Sequence, residues 1–247
     1  YYTGIETMNL YCRRFGLGEK TGVELNESEG ILAGPEEYAE RGKTWVGGDV
    51  VQAAIGQSDN QFTPLQLATY ASTIGVRYQT HLVSKITDYA RKEVVMENDP
   101  DNPTVVAETG VSEQNFEYVK EGMRAVITDS RGSAHRNLGN YPVPIAGKTG
   151  TAQGPGSDNM AFIGFAPYDA PEIAVAVILQ HGSTGTYCQN VVRDILDAYF
   201  YGKTVDDEGN LVMPEELAAS SAVSDEEGDA SSNASGETSS QGTASAE

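Results

Sequence analysis

The sequence has few cysteines and no long apolar run. Its 247 residues include only two cysteines, Cys12 and Cys188, which lie far apart and lack metal-ligand spacing. We therefore expect two buried or half-buried thiols, since a disulfide would require the fold to bring them together. No apolar run approaches the ~18–20 residues of a membrane span, and no signal peptide opens the chain. Because it starts with Tyr1 rather than Met, we expect a piece of a longer protein.

Basic residues are also scarce. The 16 Lys and Arg residues are outnumbered by 36 Asp and Glu residues, which gives a net charge of −20. This excess argues against a nucleic-acid partner, since a phosphate backbone requires a basic face. It also leaves no polybasic segment for an anionic membrane surface. Residues 204–247 carry eleven acidic and no basic side chains, so the first 203 residues carry a net charge of only −9.

The composition divides the chain into two parts. A hydrophobic fraction of 39% with 8% aromatic residues is sufficient for a globular core. After Lys203 the sequence is dominated by Ser, Ala, Gly, Asp and Glu. Such a segment cannot bury enough apolar surface to offset the entropy lost on ordering. We predict a folded portion over residues 1–203 and an acidic tail over residues 204–247, disordered from about Ala218.

Helical and extended segments follow one another in the folded portion. Thr63 and Pro64 form a helix-start signal, and Ser112 is the predicted N-cap of an amphipathic helix. Three consecutive strands are predicted near the end of this portion, and the last two, 160–167 and 173–180, are near-continuous apolar runs that are typical of a sheet covered by helices. The predicted helical segments are 1–14, 64–75, 111–128 and 190–200, and the predicted strands are 78–97, 145–153, 160–167 and 173–180. Residues 49–56 are predicted to begin a further element, because they are too apolar for an exposed loop. Residues 24–46 and 129–144 are predicted to be mostly polar connections.

The segment over residues 145–153, IAGKTGTAQ, has the most chemical character. If it is extended, Lys148 and Gly150 point to one face of the sheet, and Thr149 and Thr151 point to the other. The missing side chain at Gly150 allows a ligand or another backbone to come close. A strand edge with hydroxyls, free amides and an ammonium group suits a ligand that has a carboxylate and a peptide-like backbone.

Two other interpretations apply to the same segment. The first is a nucleotide-binding loop, because the Gly-Lys-Thr at residues 147–149 matches the end of G-x-x-x-x-G-K-[ST]. That motif requires a glycine at position 142, which is Pro142, and Pro144 likewise lacks a backbone N–H for phosphate. The second is an ordinary Gly/Thr-rich turn before a strand.

The segments around this motif favour a different assignment. The Lys-Thr-Gly at residues 148–150 is the third of three motifs shared by penicillin-binding proteins and serine β-lactamases. From about Cys12 to about Tyr201 the chain closely resembles the transpeptidase domain of class B penicillin-binding proteins, with matching segments in the same order. These segments are 15–18 (FGLG), 21–22 (TG), 54–57 (AIGQ), 63–68 (TPLQLA), 147–153 (GKTGTAQ), 162–167 (FIGFAP) and 172–177 (EIAVAV). Residues 132–134, Gly-Ser-Ala, stand where that family often has Gly-Thr-Ala.

The resemblance implies both a fold and an activity. The expected fold is α/β (α+β), a partial transpeptidase fold with an antiparallel sheet flanked by helices, as in penicillin-binding proteins and β-lactamases. The implied activity is cross-linking of peptidoglycan stem peptides by a serine D,D-transpeptidase, which β-lactams inhibit by mimicking D-Ala-D-Ala. No metal or cofactor is expected. The implied partner is a lipid II polymerase, and the implied location is the extracytoplasmic face of the bacterial membrane, with an N-terminal transmembrane anchor that this sequence lacks.

The resemblance also assigns roles within the motif. Lys148 would be the catalytic residue, supplying positive potential at the substrate carboxylate and assisting proton transfer. The hydroxyls of Thr149 and Thr151 would bind that carboxylate, and the backbone N–H of Thr151 would be one oxyanion-hole donor. Gly150 would keep the strand edge open, so that the substrate lies along it like an added strand.

The nucleophile is missing from the sequence. No Ser-x-x-Lys motif occurs, and two Ser-Asp-Asn triplets, at residues 58–60 and 157–159, lie outside the place of the family's second motif. We expect the serine and its lysine to lie upstream of Tyr1, so that this chain alone cannot acylate. The alternatives are a β-lactam sensor or inactive module of the same fold, and a D,D-carboxypeptidase or β-lactamase of the same superfamily.

Overall fold

The computed structural model describes residues 4–23, 25–80, 86–88, 93–96, 105–153 and 156–214. The chain forms two compact units, residues 1–193 and 194–247. The helices are α1 (Ile5–Arg14), α2 (Pro35–Glu40), α3 (Gly47–Ala54), α4 (Pro64–Val76), α5 (Glu113–Thr128), α6 (His135–Leu138) and α7 (Gly185–Tyr201). The strands are β1 (Tyr78–Thr80), β2 (Ile86–Asp88), β3 (Glu93–Met96), β4 (Val105–Glu108), β5 (Ala146–Ala152), β6 (Asn159–Ala166), β7 (Ile173–Leu179), β8 (Thr204–Val205) and β9 (Leu211–Val212).

The central sheet confirms the predicted antiparallel sheet flanked by helices. Its strand order is β5-β6-β7 and both pairings are antiparallel. Helices α4 and α5 pack on this sheet. One core cluster joins both helices to the sheet through Ile74, Met123, Ala146 and Phe165. In the described part of the chain, β5 has a neighbouring strand on one side only, which leaves its other edge open.

Helix α4 begins where the sequence predicts, and its first turn holds a long loop in place. Thr63 caps the helix by accepting a hydrogen bond from the Gln66 N–H, and the Gln66 side chain accepts one from the Thr63 N–H. Gln66 is fully buried, and its amide also donates to the backbone carbonyls of Glu19 at 2.7 Å and Glu29 at 2.8 Å. The glutamine of the TPLQLA segment therefore joins this helix to residues 19–29.

Helix α5 is confirmed, whereas two short helices were missed. Ser112 is the N-cap of α5, and its hydroxyl accepts from the Asn115 N–H. Helix α2 lies within the predicted connection 24–46, where Pro35 occupies the first helical position. Helix α6 lies within the predicted connection 129–144. Both helices have six residues or fewer, too short for a hydrophobic period to be recognised.

A second core cluster lies at the N-terminal end of the described chain. Ile5 of α1, Tyr38 of α2 and Ala53 of α3 pack together with Ala33. The Trp45 ring contacts the Tyr38 ring edge-on, with 4.8 Å between centroids. Three helices that lie apart in the sequence are thereby held around one apolar centre.

The cysteine prediction is confirmed. Cys12 is half-buried, Cys188 is buried, and both are free thiols. Burial raises the pKa of both thiols above the ordinary value. Both groups are therefore protonated at neutral pH.

Residues 194–247 form the second unit. Its described part contains the β8–β9 hairpin, which pairs Thr204 with Val212 and Val205 with Leu211. The Asp206 carboxylate accepts from the backbone N–H groups of Glu208 and Asn210 within the connecting turn. Residues 215–247, which include the segment predicted to be disordered from Ala218, lie outside the described residues. Among the described helices, none has both the length and the apolar character needed to cross a membrane.

Candidate active site

Strand β5 carries the KTG motif in an extended conformation. Lys148 pairs with Ile163 and Gly150 with Ala161, whereas Thr149 pairs with Phe162 and Thr151 with Met160. Directly paired residues share one face of a sheet, so the lysine and the two threonines lie on opposite faces. The predicted alternation is confirmed.

The open edge of β5 presents the backbone groups of Thr149 and Thr151. The carbonyl of Thr149 accepts from Lys148 Nζ at 2.8 Å, and the carbonyl of Thr151 accepts from Gln57 Nε2 at 3.3 Å. In an antiparallel strand the N–H and C=O of one residue point to the same side. Both residues therefore direct their N–H and C=O groups away from β6, where a further strand could add.

The Lys148 ammonium lies at this edge rather than in a core. Its side chain is exposed, and it bends back towards the carbonyl of the next residue. The Cβ of Lys148 lies on the face opposite the threonines. Because the side chain bends back, its ammonium nevertheless reaches the open edge. A cation, two carbonyls and two N–H groups thus lie along one exposed strand.

A second hydroxyl lies beside Thr149. Ser133 Oγ is 2.7 Å from Thr149 Oγ1, Ser133 is exposed, and Thr149 is half-buried. Ser133 follows α5 and precedes α6. It was not among the predicted site residues, although the Gly-Ser-Ala match at residues 132–134 was a signal for this position.

The two glycines before and within the motif differ in their surroundings. A Cβ added at Gly147 would lie 2.3 Å from Phe162 Cζ and 2.9 Å from the Ile163 carbonyl oxygen. At Gly150 the nearest atom would be Ala161 Cβ at 3.3 Å. Gly147 is required by close packing between strands, whereas a methyl group at Gly150 would meet only the Ala161 side chain within 4 Å.

The Ser-Asp-Asn triplet at residues 58–60 belongs to the loop between α3 and α4. Ser58 Oγ is 2.9 Å from the Tyr38 hydroxyl, and Asp59 forms an ion pair with Lys43. Asn60 Oδ1 accepts from the Ala33 N–H at 2.9 Å. These side chains hold the loop against residues 33–43, and the same loop places Gln57 at the β5 edge.

The triplet at residues 157–159 ends the connection from β5, and its last residue, Asn159, is the first residue of β6. The Ser157 carbonyl oxygen is 2.9 Å from His181 Nδ1, and Asn159 Oδ1 accepts from the His181 N–H at 3.0 Å. These contacts join the β5–β6 connection to the segment that follows β7.

Comparison with known proteins identifies the family of the chain. Residues 2–197 match the model of the penicillin-binding protein transpeptidase domain, and the chain therefore belongs to that family. It is 34% identical over 214 residues to the peptidoglycan D,D-transpeptidase MrdA of Acinetobacter baumannii, covering 78% of this chain and 31% of that protein. The resemblance drawn from the sequence motifs is confirmed.

Two solved structures extend the comparison to the fold. Penicillin-binding protein 2 of Pseudomonas aeruginosa, in complex with WCK 5153, superposes with a TM-score of 0.66 at 30% identity, covering 85% of this chain and 44% of that one. A peptidoglycan synthase complex that coordinates polymerization and crosslinking contains a chain with a TM-score of 0.67 at 28% identity, covering 82% of this chain and 34% of that one. The chain spans about a third of the length of the curated relative it matches, 31%.

Proposed function

We propose that residues 1–203 are the C-terminal portion of the transpeptidase domain of a peptidoglycan D,D-transpeptidase that acts through a serine acyl-enzyme. The observation that carries the proposal is the open edge of β5, where Lys148, Thr149 and Thr151 lie together in a chain of this family. Residues 204–247 are a tail outside that domain. The chain supplies the KTG side of the site, and the nucleophilic serine comes from outside residues 1–247.

Substrate binding follows from the geometry of the edge. A stem peptide ending in D-Ala-D-Ala adds to β5 as a further strand and pairs with the outward groups of Thr149 and Thr151. The Lys148 ammonium leaves the Thr149 carbonyl and approaches the terminal carboxylate, because an ion pair is stronger than a hydrogen bond to a neutral carbonyl. The hydroxyls of Thr149 and Thr151 donate to the same carboxylate.

The reaction then proceeds in two acyl transfers. The serine oxygen attacks the carbonyl of the penultimate D-Ala, the peptide bond breaks, and the terminal D-Ala leaves with a proton on its amine. The Thr151 N–H stabilises the negative charge that develops on the carbonyl oxygen. An amine from a neighbouring stem then attacks the acyl-enzyme, forms the cross-link and releases the serine.

Location and partners follow from the same assignment. The substrate lies outside the cytoplasm, so we place the protein at the extracytoplasmic face of the bacterial membrane, held there by an N-terminal anchor. The proposed partner is a lipid II polymerase, in line with the synthase complex that contains a similar chain. β-Lactams would bind the same edge through their carboxylate.

The test is covalent labelling by a fluorescent penicillin. The gene is expressed with its upstream coding sequence, and wild type is compared with Lys148→Met, Lys148→Arg and the control Lys20→Met, which removes an exposed lysine elsewhere. We expect Lys148→Met to slow labelling about 100-fold, as for loss of an oxyanion-hole donor in other hydrolases. Lys148→Arg keeps the positive charge but replaces the compact ammonium with a planar guanidinium, so its labelling rate should lie between those of wild type and Lys148→Met. Absence of label on the wild-type protein would overturn the proposal.

Product analysis separates this function from its relatives. A transpeptidase forms a cross-linked dimer from stem-peptide substrates, whereas a carboxypeptidase releases D-Ala without a dimer. A sensor labels with penicillin but yields neither product. Residues 1–247 expressed alone are expected to remain unlabelled.

A further inference from the structure

We infer that Ser133 is a positioning residue that directs the Thr149 hydroxyl towards the carboxylate of the ligand. The inference rests on the proposed function, because it assigns a supporting residue to the same site. The distance of 2.7 Å between Ser133 Oγ and Thr149 Oγ1 is that of a good hydrogen bond between hydroxyls. The Ser133 side chain is exposed, and the Thr149 side chain is half-buried.

The backbone around Ser133 is fixed by close packing on both sides. A Cβ at Gly132 would lie 2.3 Å from the Val126 carbonyl oxygen, so the chain here runs directly against the last turn of α5. Ala134 is fully buried, and its N–H donates to the same Val126 carbonyl at 3.2 Å. An exposed serine between two such residues has little freedom in its backbone position.

A buried amide holds the Ser133 carbonyl. Gln189 is 4% exposed, and its Nε2 donates to the Ser133 carbonyl at 3.2 Å. Its Oε1 accepts from Asn137 Nδ2 at 2.7 Å, so both ends of the amide are bonded. A buried amide that is hydrogen-bonded at both ends is held in one orientation. The hydroxyl of Ser133 is therefore presented to Thr149 from a rigid support that joins α6 and α7.

The chemical consequence concerns a single proton. A hydroxyl has one hydrogen to donate and two lone pairs that accept. When Ser133 donates to Thr149, the Thr149 proton is left to donate outward, and the first bond polarises the second. Without Ser133, the ligand itself must orient the Thr149 hydroxyl. The free energy needed for that orientation makes binding weaker and acylation slower.

The experiment is a double-mutant cycle in the protein expressed with its upstream region. The variants are Ser133→Ala, Ser133→Thr, Thr149→Val and the pair Ser133→Ala/Thr149→Val. The control is Ser130→Ala, which alters an exposed serine in the same turn. The readouts are the second-order rate of acylation by fluorescent penicillin, the dissociation constant of an acyl-D-Ala-D-Ala peptide, and the thermal unfolding midpoint.

We expect Ser133→Ala to slow acylation and weaken peptide binding about tenfold, as for the loss of one hydrogen bond. Ser133→Thr and Ser130→Ala should stay within about twofold of wild type, since each keeps a hydroxyl at residue 133. In the Thr149→Val background, Ser133→Ala should have no further effect, because the group it positions is gone. Unfolding midpoints should be unchanged.

Two outcomes overturn the inference. One is a Ser133→Ala protein that behaves like wild type, and the other is an equal loss in the Thr149→Val background, which would mean that Ser133 acts independently. A wild-type protein that binds the peptide but takes no label would overturn the proposed function, while the binding arm still tests Ser133. A protein that neither takes label nor binds peptide overturns both.

Discussion

The side-chain amide of Gln57 donates a 3.3 Å hydrogen bond to the backbone carbonyl of Thr151, and so ties the α3–α4 loop to the open edge of β5. The loop is itself held by Asn60, which donates to the carbonyls of Ala53 and Gln57. Gln57 therefore occupies an acceptor that a ligand lying along β5 would use. A bound ligand either displaces this amide or lies beside it.

Replacement of Gln57 by Glu tests the electrostatic character of the edge. The new carboxylate would face the Thr151 carbonyl oxygen and add a negative charge beside the proposed carboxylate site. We expect acylation by penicillin to slow about fivefold, because one exposed charge contributes up to about 1 kcal/mol. The effect should shrink at 1 M salt, where exposed charges are screened.

The matched control is Gln57→Met, which removes the hydrogen bond without adding charge. It should remain within about twofold of wild type, since water can replace the amide at the exposed Thr151 carbonyl, which is not one of the proposed carboxylate-binding groups. Equal slowing in both variants would show that the tether, and not the charge, governs the rate.

The pair Gly147→Ala and Gly150→Ala tests the packing of β5. The methyl group at residue 147 would overlap the ring of Phe162, which is 1% exposed and cannot move freely. We expect a loss of about 2–3 kcal/mol in the free energy of unfolding, as for other overpacked cores. At residue 150 the methyl contacts only Ala161 Cβ, so the loss should stay below about 1 kcal/mol. Urea denaturation measures both, and a similar loss in the two variants would contradict the predicted difference.

Gln66→Leu tests the buried amide at the start of α4. The leucine keeps the apolar volume but leaves the carbonyls of Glu19 and Glu29 without their donor. We expect the free energy of unfolding to fall by roughly 2–4 kcal/mol, because buried unpaired carbonyls are costly. Gln61→Leu, at an exposed glutamine nearby, should change it by less than about 0.5 kcal/mol. A stable Gln66→Leu protein would show that water replaces the amide.

The two thiols give a prediction about pH. Since burial raises the pKa of Cys12 and Cys188, less thiolate is present at any given pH than for a free cysteine. Alkylation by iodoacetamide at pH 8 should therefore be slow, should accelerate as pH rises further, and should reach Cys12 before the buried Cys188. Mass spectrometry measures both rates. In urea both thiols should react quickly. Rapid alkylation of both thiols in the folded protein would contradict the prediction that burial protects them.

The elements that sequence predicted well are those whose signals are local. Alternation along residues 145–153 was sufficient to place β5, and the Thr63–Pro64 start signal was sufficient to place α4. Helix α7 begins at Gly185, earlier than the predicted residue 190, because residues 185–190 (GTYCQN) lack the aliphatic side chains whose spacing predicted the helix.

The contacts of the site are not local. Ser133 reaches Thr149 across a turn and a short helix, and Gln57 reaches Thr151 across 94 residues. No spacing rule links such residues, because tertiary packing brings them together: α5 packs against β5, and α4 packs against β6 and β7. The KTG segment could therefore be identified from sequence. Ser133, which bonds to the Thr149 hydroxyl, and Gln57, which bonds to the Thr151 carbonyl, could not.

The open edge of β5 could also pair with a second copy of the protein. The backbone groups along an open strand edge can pair with the same strand of a second molecule as readily as with a peptide. Charged side chains on an edge, lysine above all, suppress such pairing. Lys148 lies at that edge, and we expect neutral replacements at this position to promote oligomers that form through β5.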